Sequence, residues 1–322
     1  MEGAPTDAEL LEGLRLALGE RGAAPVRRVR RAASEYRTSF PLERLEVGLG
    51  DGSELSLAFK RLDWGGLEAG ARLAKPDFLH DPGREPAVYA ELLEPAGLGA
   101  PRFHGAVVDP GRHWLFVEWV EGRELYQVGE LALWEAAARW LARLHAEFEG
   151  AAEGDLAAAH LLEHDAAYYR RWVERAREFA PDPSRSRADV AAVEWLVARH
   201  EAVVEALLAL PRTLIHGEFY ASNVLLAGEG ADPRVAPVDW ELAARGPGLT
   251  DLAALLAGGW SERERATLAA AYGAVSPREL DFARLQLAIQ WLGWAPPAWE
   301  PPAGQRQDWL GEAVALAEGL GL

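Results

Sequence analysis

The sequence contains no cysteine, only two lysines among 33 basic residues, a single methionine and no apolar run long enough for a membrane helix. Without cysteine there are no disulfides, no thiolate metal sites and no cysteine nucleophile, while the redox compartment stays open. The start, Met-Glu-Gly-Ala-Pro-Thr-Asp, is acidic and has no apolar core, so neither secretion nor membrane spanning is expected. A broad basic face is missing too. A net charge of −17 opposes phosphate-backbone contacts, and no nucleic-acid partner is expected. No G-x-x-x-x-G-K-S/T loop occurs, and Gly48-Leu49-Gly50-Asp51-Gly52 lacks the spacing and the following helix of a dinucleotide fingerprint.

What remains is ample for a large core. With 322 residues, 49% hydrophobic and 26% charged, the chain is globular and long enough for two lobes. Its acidic balance suits a cationic substrate through steering, or is simply an acidic surface. The basic run Arg27, Arg28, Arg30, Arg31 places arginines on both faces of a strand and reads as a solvated edge or a ligand neighbourhood.

The chemistry concentrates in the stretch Leu214-Ile-His-Gly-Glu-Phe-Tyr-Ala-Ser-Asn-Val-Leu-Leu226 and in Val238-Asp239-Trp240-Glu241. Apolar residues at 214–215, 224–226 and 235–238 read as three short buried strands, with polar side chains on the turns between them. Phosphoryl transfer requires one carboxylate for the attacking hydroxyl, and an amide and a second carboxylate for magnesium. Glu218, Asn223 and Asp239 supply one of each. Caps and strand ends also use such residues, which is the plainer reading.

The joint pattern His216-Gly217-acid-x4-Asn223-Val224-Leu225, then Asp239-Trp240-Glu241, then Asp251-Leu252-Ala253, resembles the aminoglycoside phosphotransferase and choline kinase group of kinase-fold enzymes. The chain departs from that group at Glu218, where the family has Asp, by one methylene. The resemblance implies an α+β, protein-kinase-like bilobal fold: a small antiparallel β lobe with one helix over 1–117, a hinge at 118–124, and a larger, mainly helical catalytic and substrate lobe over 125–322. It makes Glu218 the catalytic acid position, Asn223 and Asp239 the magnesium ligands, and Asp251 a carboxylate bracing the loop around His216. ATP and Mg2+ are the implied cofactors, and the need for ATP argues for the cytoplasm.

Lysine usage points to Lys60. It ends the alternating run Leu55, Leu57, Phe59, which mirrors Leu45, Val47, Leu49 across Gly50-Asp51-Gly52-Ser53, a hairpin with an Asp-Gly turn. In a kinase-like small lobe, Lys60 would reach the α and β phosphates, where an ammonium fits differently from a guanidinium. Its partner would be Glu85, near the start of a helix carrying Pro86, with Glu91 as the fallback. The loop expected over the phosphates, 33–39, has no glycine. The hydroxyls of Ser34, Thr38 and Ser39 and the guanidinium of Arg37 would stand in, unless the segment is a plain connection. Strands are expected at 102–108 and 113–119, running into Glu118-Trp119-Val120-Glu121-Gly122. That segment resembles a kinase hinge, in which main-chain groups of Glu118 and Val120 would pair with adenine.

Helices are expected at 131–148, 189–210, 263–292 and about 306–319. His160-Leu-Leu-Glu163-His164 matches an H-x-x-E-H zinc pattern if helical, but nothing supplies a third ligand. Trp291, Trp294, Trp299 and Trp309 either stack on a sugar or a cation or fill the core. The expected function is ATP-dependent transfer of the γ-phosphoryl group to a hydroxyl of a small molecule: an amino sugar, another sugar or an amino alcohol. The alternatives are a nucleotide-binding pseudokinase acting through partners and a kinase of peptide Ser or Thr side chains.

Overall fold

The computed structural model describes residues 4–34, 39–151, 159–182, 185–228, 233–294, 296 and 307–322. Helix α1 (Asp7–Glu20) comes first, closed by a capping box between Thr6 and Glu9. Strands β1 (Val26–Ala33), β2 (Leu42–Leu49) and β3 (Glu54–Arg61) follow, then the short helix α2 (Ala69–Ala74). A longer helix begins as α3 (Arg84–Ala87), passes through a π-helical stretch at Val88–Leu93 and ends as α4 (Glu94–Ala96). Strands β4 (Phe103–Asp109) and β5 (Arg112–Glu118) complete an antiparallel sheet ordered β1-β2-β3-β5-β4.

Period-two alternation divides this sheet. Leu57, Phe59, Trp114 and Phe116 pack with Leu10, Leu14 and Leu18 of α1 in one core. The opposite face carries Ala58, Lys60, Leu115 and Val117 towards a cavity, with Val88, Tyr89, Leu92 and Leu93 behind it. Helix α1 is thus an addition to the one helix expected over this sheet. The arginine run lies on β1, an edge strand: Arg31 pairs with Glu43 at 2.7 Å, and Arg27, Arg28 and Arg30 are exposed.

Strand β6 (Gly122–Glu124) leads out of the first sheet and pairs with β9 (Val224–Ala227), which pairs with β10 (Arg234–Pro237). Helix α5 (Leu131–Phe148) has the bounds expected of it. Strand β7 (Leu162–Glu163), helix α6 (Ala166–Phe179), strand β8 (Arg212–Ile215) and strand β11 (Ala244–Pro247) frame the far side, with β11 between β7 and β8. The helix expected over 189–210 is two, α7 (Arg187–Val197) and α8 (His200–Leu208). The break brings His200 into the core, where its Nε2 meets Gln286 Oε1 at 2.8 Å. Helix α9 (Leu249–Leu255) precedes the region expected at 263–292, which is also divided, into α10 (Glu262–Tyr272) and α11 (Pro277–Leu292), before α12 (Trp309–Leu320). Among the described residues, no helix is long and apolar enough to cross a membrane.

The H-x-x-E-H pattern is not helical. His160 sits at φ 54, Glu163 lies in β7, and no metal-binding cluster of three or more His, Cys, Asp or Glu occurs among the described residues. His164 is buried against the Tyr168 ring, centroids 3.9 Å apart, with neither nitrogen hydrogen-bonded. Burial pushes its pKa down to about 3. A base depressed in this way adds stability above its unfolded value and loses it as the pH falls towards 3. His164→Phe should therefore flatten the acid limb of a stability-against-pH curve and raise stability by about 1–3 kcal/mol; an unchanged acid midpoint in urea melts would remove His164 as the cause.

Candidate active site

Between the first sheet and the helical lobe lies a cavity of about 980 Å³, lined by Lys60, Glu85, Glu118, Val120, Glu218, Asn223 and Asp239 among others. One cavity therefore gathers these residues, whose sequence positions span from 60 to 239. Lys60 leaves β3 on the cavity face. Its ammonium donates to Glu85 Oε2 at 2.7 Å and also pairs with Asp239. Burial opposes the charge on Lys60, but Asp239, Glu85 and Glu241 outweigh it and hold its pKa well above the ordinary value. Glu85 in turn accepts from the Trp240 main-chain N–H at 3.2 Å, so one carboxylate ties α3 to the segment after β10. Burial lifts Glu85 to about 7, against the pull of Lys60. Glu91, the fallback, is exposed.

The loop after β8 is braced from below by Asp251 on α9. Its carboxylate accepts the main-chain N–H groups of His216 at 2.6 Å and Gly217 at 2.9 Å, and faces His145 Nε2 at 3.3 Å. His216 Nε2–H donates to Val238 O at 2.9 Å, which leaves Nδ1 to accept from the Glu218 N–H at 3.3 Å. Gly217 has φ 86, and a Cβ there would lie 2.3 Å from Leu242 O, so only glycine fits. Asn223 Nδ2 donates to Glu218 O at 2.9 Å and Asn223 O accepts from Val238 N at 2.9 Å, which sets the amide beside Asp239. Asp239 itself is left-handed, φ 69 and ψ 60, a conformation Asp tolerates better than most residues. Burial, then Glu241 and Asp239, raise the Glu218 carboxyl to about 8, with Lys75 and Lys60 opposing.

One expected contact differs. Ser34 is not among the cavity residues, because its N–H extends the β1–β2 ladder to Leu42 O at 3.0 Å; Ser39 lines the wall instead. Arg37 and Thr38 lie outside the described residues. At the segment after β5, the Glu118 N–H is committed to Arg102 O at 2.8 Å, and its carboxylate takes Arg234 through two contacts of 2.7 Å. The sequence reading gave no role to Lys75, whose ammonium pairs with the buried Glu241 of Asp-Trp-Glu. Against burial, Lys75 and Lys60 hold Glu241 down at about 2. The signal was the lysine itself, one of two in an arginine-rich chain.

The sequence profile of the phosphotransferase enzyme family matches residues 56–288, from β3 to the middle of α11 and across every cavity residue named above except Ser39. The chain belongs to the phosphotransferase enzyme family. As a member it is a phosphotransferase, with an alcohol group as acceptor. A search of curated proteins finds no match. Among solved structures, a spectinomycin phosphotransferase in complex with ADP and spectinomycin is 14% identical, with TM-score 0.56 over 99% of each chain. A GDP complex of a mutant aminoglycoside 2'-phosphotransferase-IIIa is 13% identical, with TM-score 0.58 over 94% of each chain. The choline kinase LicA from Streptococcus pneumoniae is 16% identical, with TM-score 0.54 over 92% of this chain and 94% of its own. At these identities the likeness shows the fold, and it is the kinase-like bilobal fold expected from the sequence.

Proposed function

We propose that this phosphotransferase moves the γ-phosphoryl group of ATP to a hydroxyl of a small molecule. The observation that carries the reading is the buried Lys60 held between Glu85 and Asp239 on the wall of the same cavity as Glu218 and Asn223. Related folds accommodate ADP and GDP, which supports a nucleotide here.

Asn223 and Asp239 would hold magnesium. Their chemistry fits: Asn223 spends its amide N–H on Glu218 O, so its Oδ1 is left for a hard cation, and Asp239 already faces one positive charge in Lys60. Bound there, magnesium would neutralise charge on the β and γ phosphates. Lys60, positioned by Glu85, meets the phosphates as a compact ammonium, and the main chain at Glu118 and Val120 borders the adenine end. Glu218 takes the proton of the acceptor hydroxyl as its oxygen bonds to the γ-phosphorus and the bond to the ADP oxygen breaks. With its pKa raised to about 8, the Glu218 carboxylate is a stronger base than an ordinary one, and its ionised share grows as the pH rises through that value.

Calorimetric titration of ATP with and without magnesium tests the site. Magnesium-dependent binding should weaken at least ~10-fold in Asp239→Asn, the loss expected from removing one charged ligand. Binding that ignores both magnesium and the substitution would sink the assignment of Asp239.

A further inference from the structure

We propose that Tyr89, on the helix behind the first sheet, reads the nucleotide base: its phenol O–H donates to N7 of a purine held between the hinge and Lys60. This rests on the ATP reading above and adds to it a side-chain contact with the base.

Tyr89 is 1% exposed and lines the cavity together with Lys60, Glu85, Leu115 and Val117. It follows Glu85 by four residues, one turn further along the helix, so the carboxylate that positions Lys60 and the phenol share a face. The helix becomes π-helical at Val88, and such stretches recur at functional sites.

The phenol oxygen lies among the charged groups of the cavity. Burial first, then Glu85, Asp239 and Glu118, hold the proton on it, with Lys60 opposing, so it is a neutral donor. The neighbouring carboxylates are committed elsewhere. Glu85 gives one oxygen to Lys60 and the other to the Trp240 N–H, Asp239 pairs with Lys60, and Glu118 takes Arg234 and the Arg102 N–H. The Tyr89 O–H meets no acceptor among the described residues. A hydroxyl buried without a partner is costly, and an acceptor on a ligand satisfies it.

The walls say which acceptor passes in front of it. Ala58 and Val117, opposite one another on β3 and β5, and Leu42 on β2 present apolar atoms from the sheet, and Leu225 on β9 adds to them from the large lobe. Apolar walls with a few polar groups at their ends suit a flat base, oriented by those groups. A purine whose N1 and C6 edge meets the main chain at the hinge turns N7 away from that chain, along the back wall where Tyr89 stands. N7 is an acceptor in adenine and guanine alike, so the contact adds affinity for either purine without choosing between them.

The test is calorimetric titration, in the presence of magnesium, of ATP and of 7-deaza-ATP, in which a C–H replaces N7, into the unsubstituted protein and into Tyr89→Phe. The substitution should weaken ATP about 3–10-fold, as for one neutral hydrogen bond. The deaza nucleotide should bind the unsubstituted protein more weakly by a similar factor and be insensitive to Tyr89→Phe, a pattern that a merely structural role for Tyr89 does not produce. The ring still packs in the core, so the urea midpoint of the free protein should hold or rise; a fall would assign the hydroxyl a partner within the protein and overturn the proposal. Unchanged ATP affinity in Tyr89→Phe, or equal weakening of both nucleotides, overturns it too and leaves the ATP reading standing. No binding of either nucleotide to the unsubstituted protein overturns both.

Discussion

Glu218→Gln lowers kcat by ~10²- to 10⁴-fold, the range a lost general base commands, while magnesium-dependent ATP affinity stays within a few-fold. The amide keeps the shape and the loop hydrogen bonds, because Asn223 Nδ2 and the Tyr220 N–H bind the main-chain oxygen of residue 218 and not its side chain. What disappears is the ability to take a proton. Single-turnover transfer, measured beside calorimetry, checks this, and unchanged turnover would remove Glu218 from the mechanism. Glu218→Asp probes the reach: a displacement of about 1 Å costs up to ~10²-fold when alignment is tuned to the longer side chain. Higher activity in that variant would mean that the extra methylene is not matched to the acceptor.

Lys60→Met should abolish detectable transfer and destabilise the fold by about 3–5 kcal/mol at pH 8, because it strands the Glu85 and Asp239 carboxylates without their cation. The loss should be smaller in acid. Glu85 sits at about 7 in the intact site, above the ordinary 4.5, so its contribution to stability is full below its unfolded value and falls away as pH rises through the folded one. Without Lys60 that folded value climbs further, and protonation relieves the variant across a wider range. Urea melts at pH 5.5 and pH 8 check the difference. A penalty equal at both pH values would show that the pair is not what Lys60 stabilises.

The parts of the fold legible in the sequence are those specified by neighbours. Alternation at Leu55, Leu57 and Phe59 with an Asp-Gly turn defines β2 and β3, since a period of two separates the α1 face from the cavity face. Helix α5 follows from its three-or-four spacing alone. Helix α1 was within reach as well, through Thr6, Glu9 and the series Leu10, Leu14, Leu18. The break between α7 and α8 was not, because no glycine or proline marks it and its reason, His200 against Gln286, spans 86 residues. The helical reading of His160 and His164 failed for a related reason: a left-handed residue at His160 leaves no trace in polarity. In the site, Glu218, Asn223 and Asp239 could be read together because they lie on adjoining turns. The pairing of Lys75 with Glu241 joins positions 166 residues apart and needed the fold.

Both lysines of the chain are 5% exposed, and the remaining basic side chains are guanidinium groups. The charge that arginine places on the surface is therefore fixed across any pH at which the protein folds, since arginine does not release its proton in that range. Reagents that acylate or carbamylate amines find no lysine on the closed molecule. Lysine acylation of this protein consequently serves as a clock for opening of the Lys60 and Lys75 sites, with no background from lysines elsewhere.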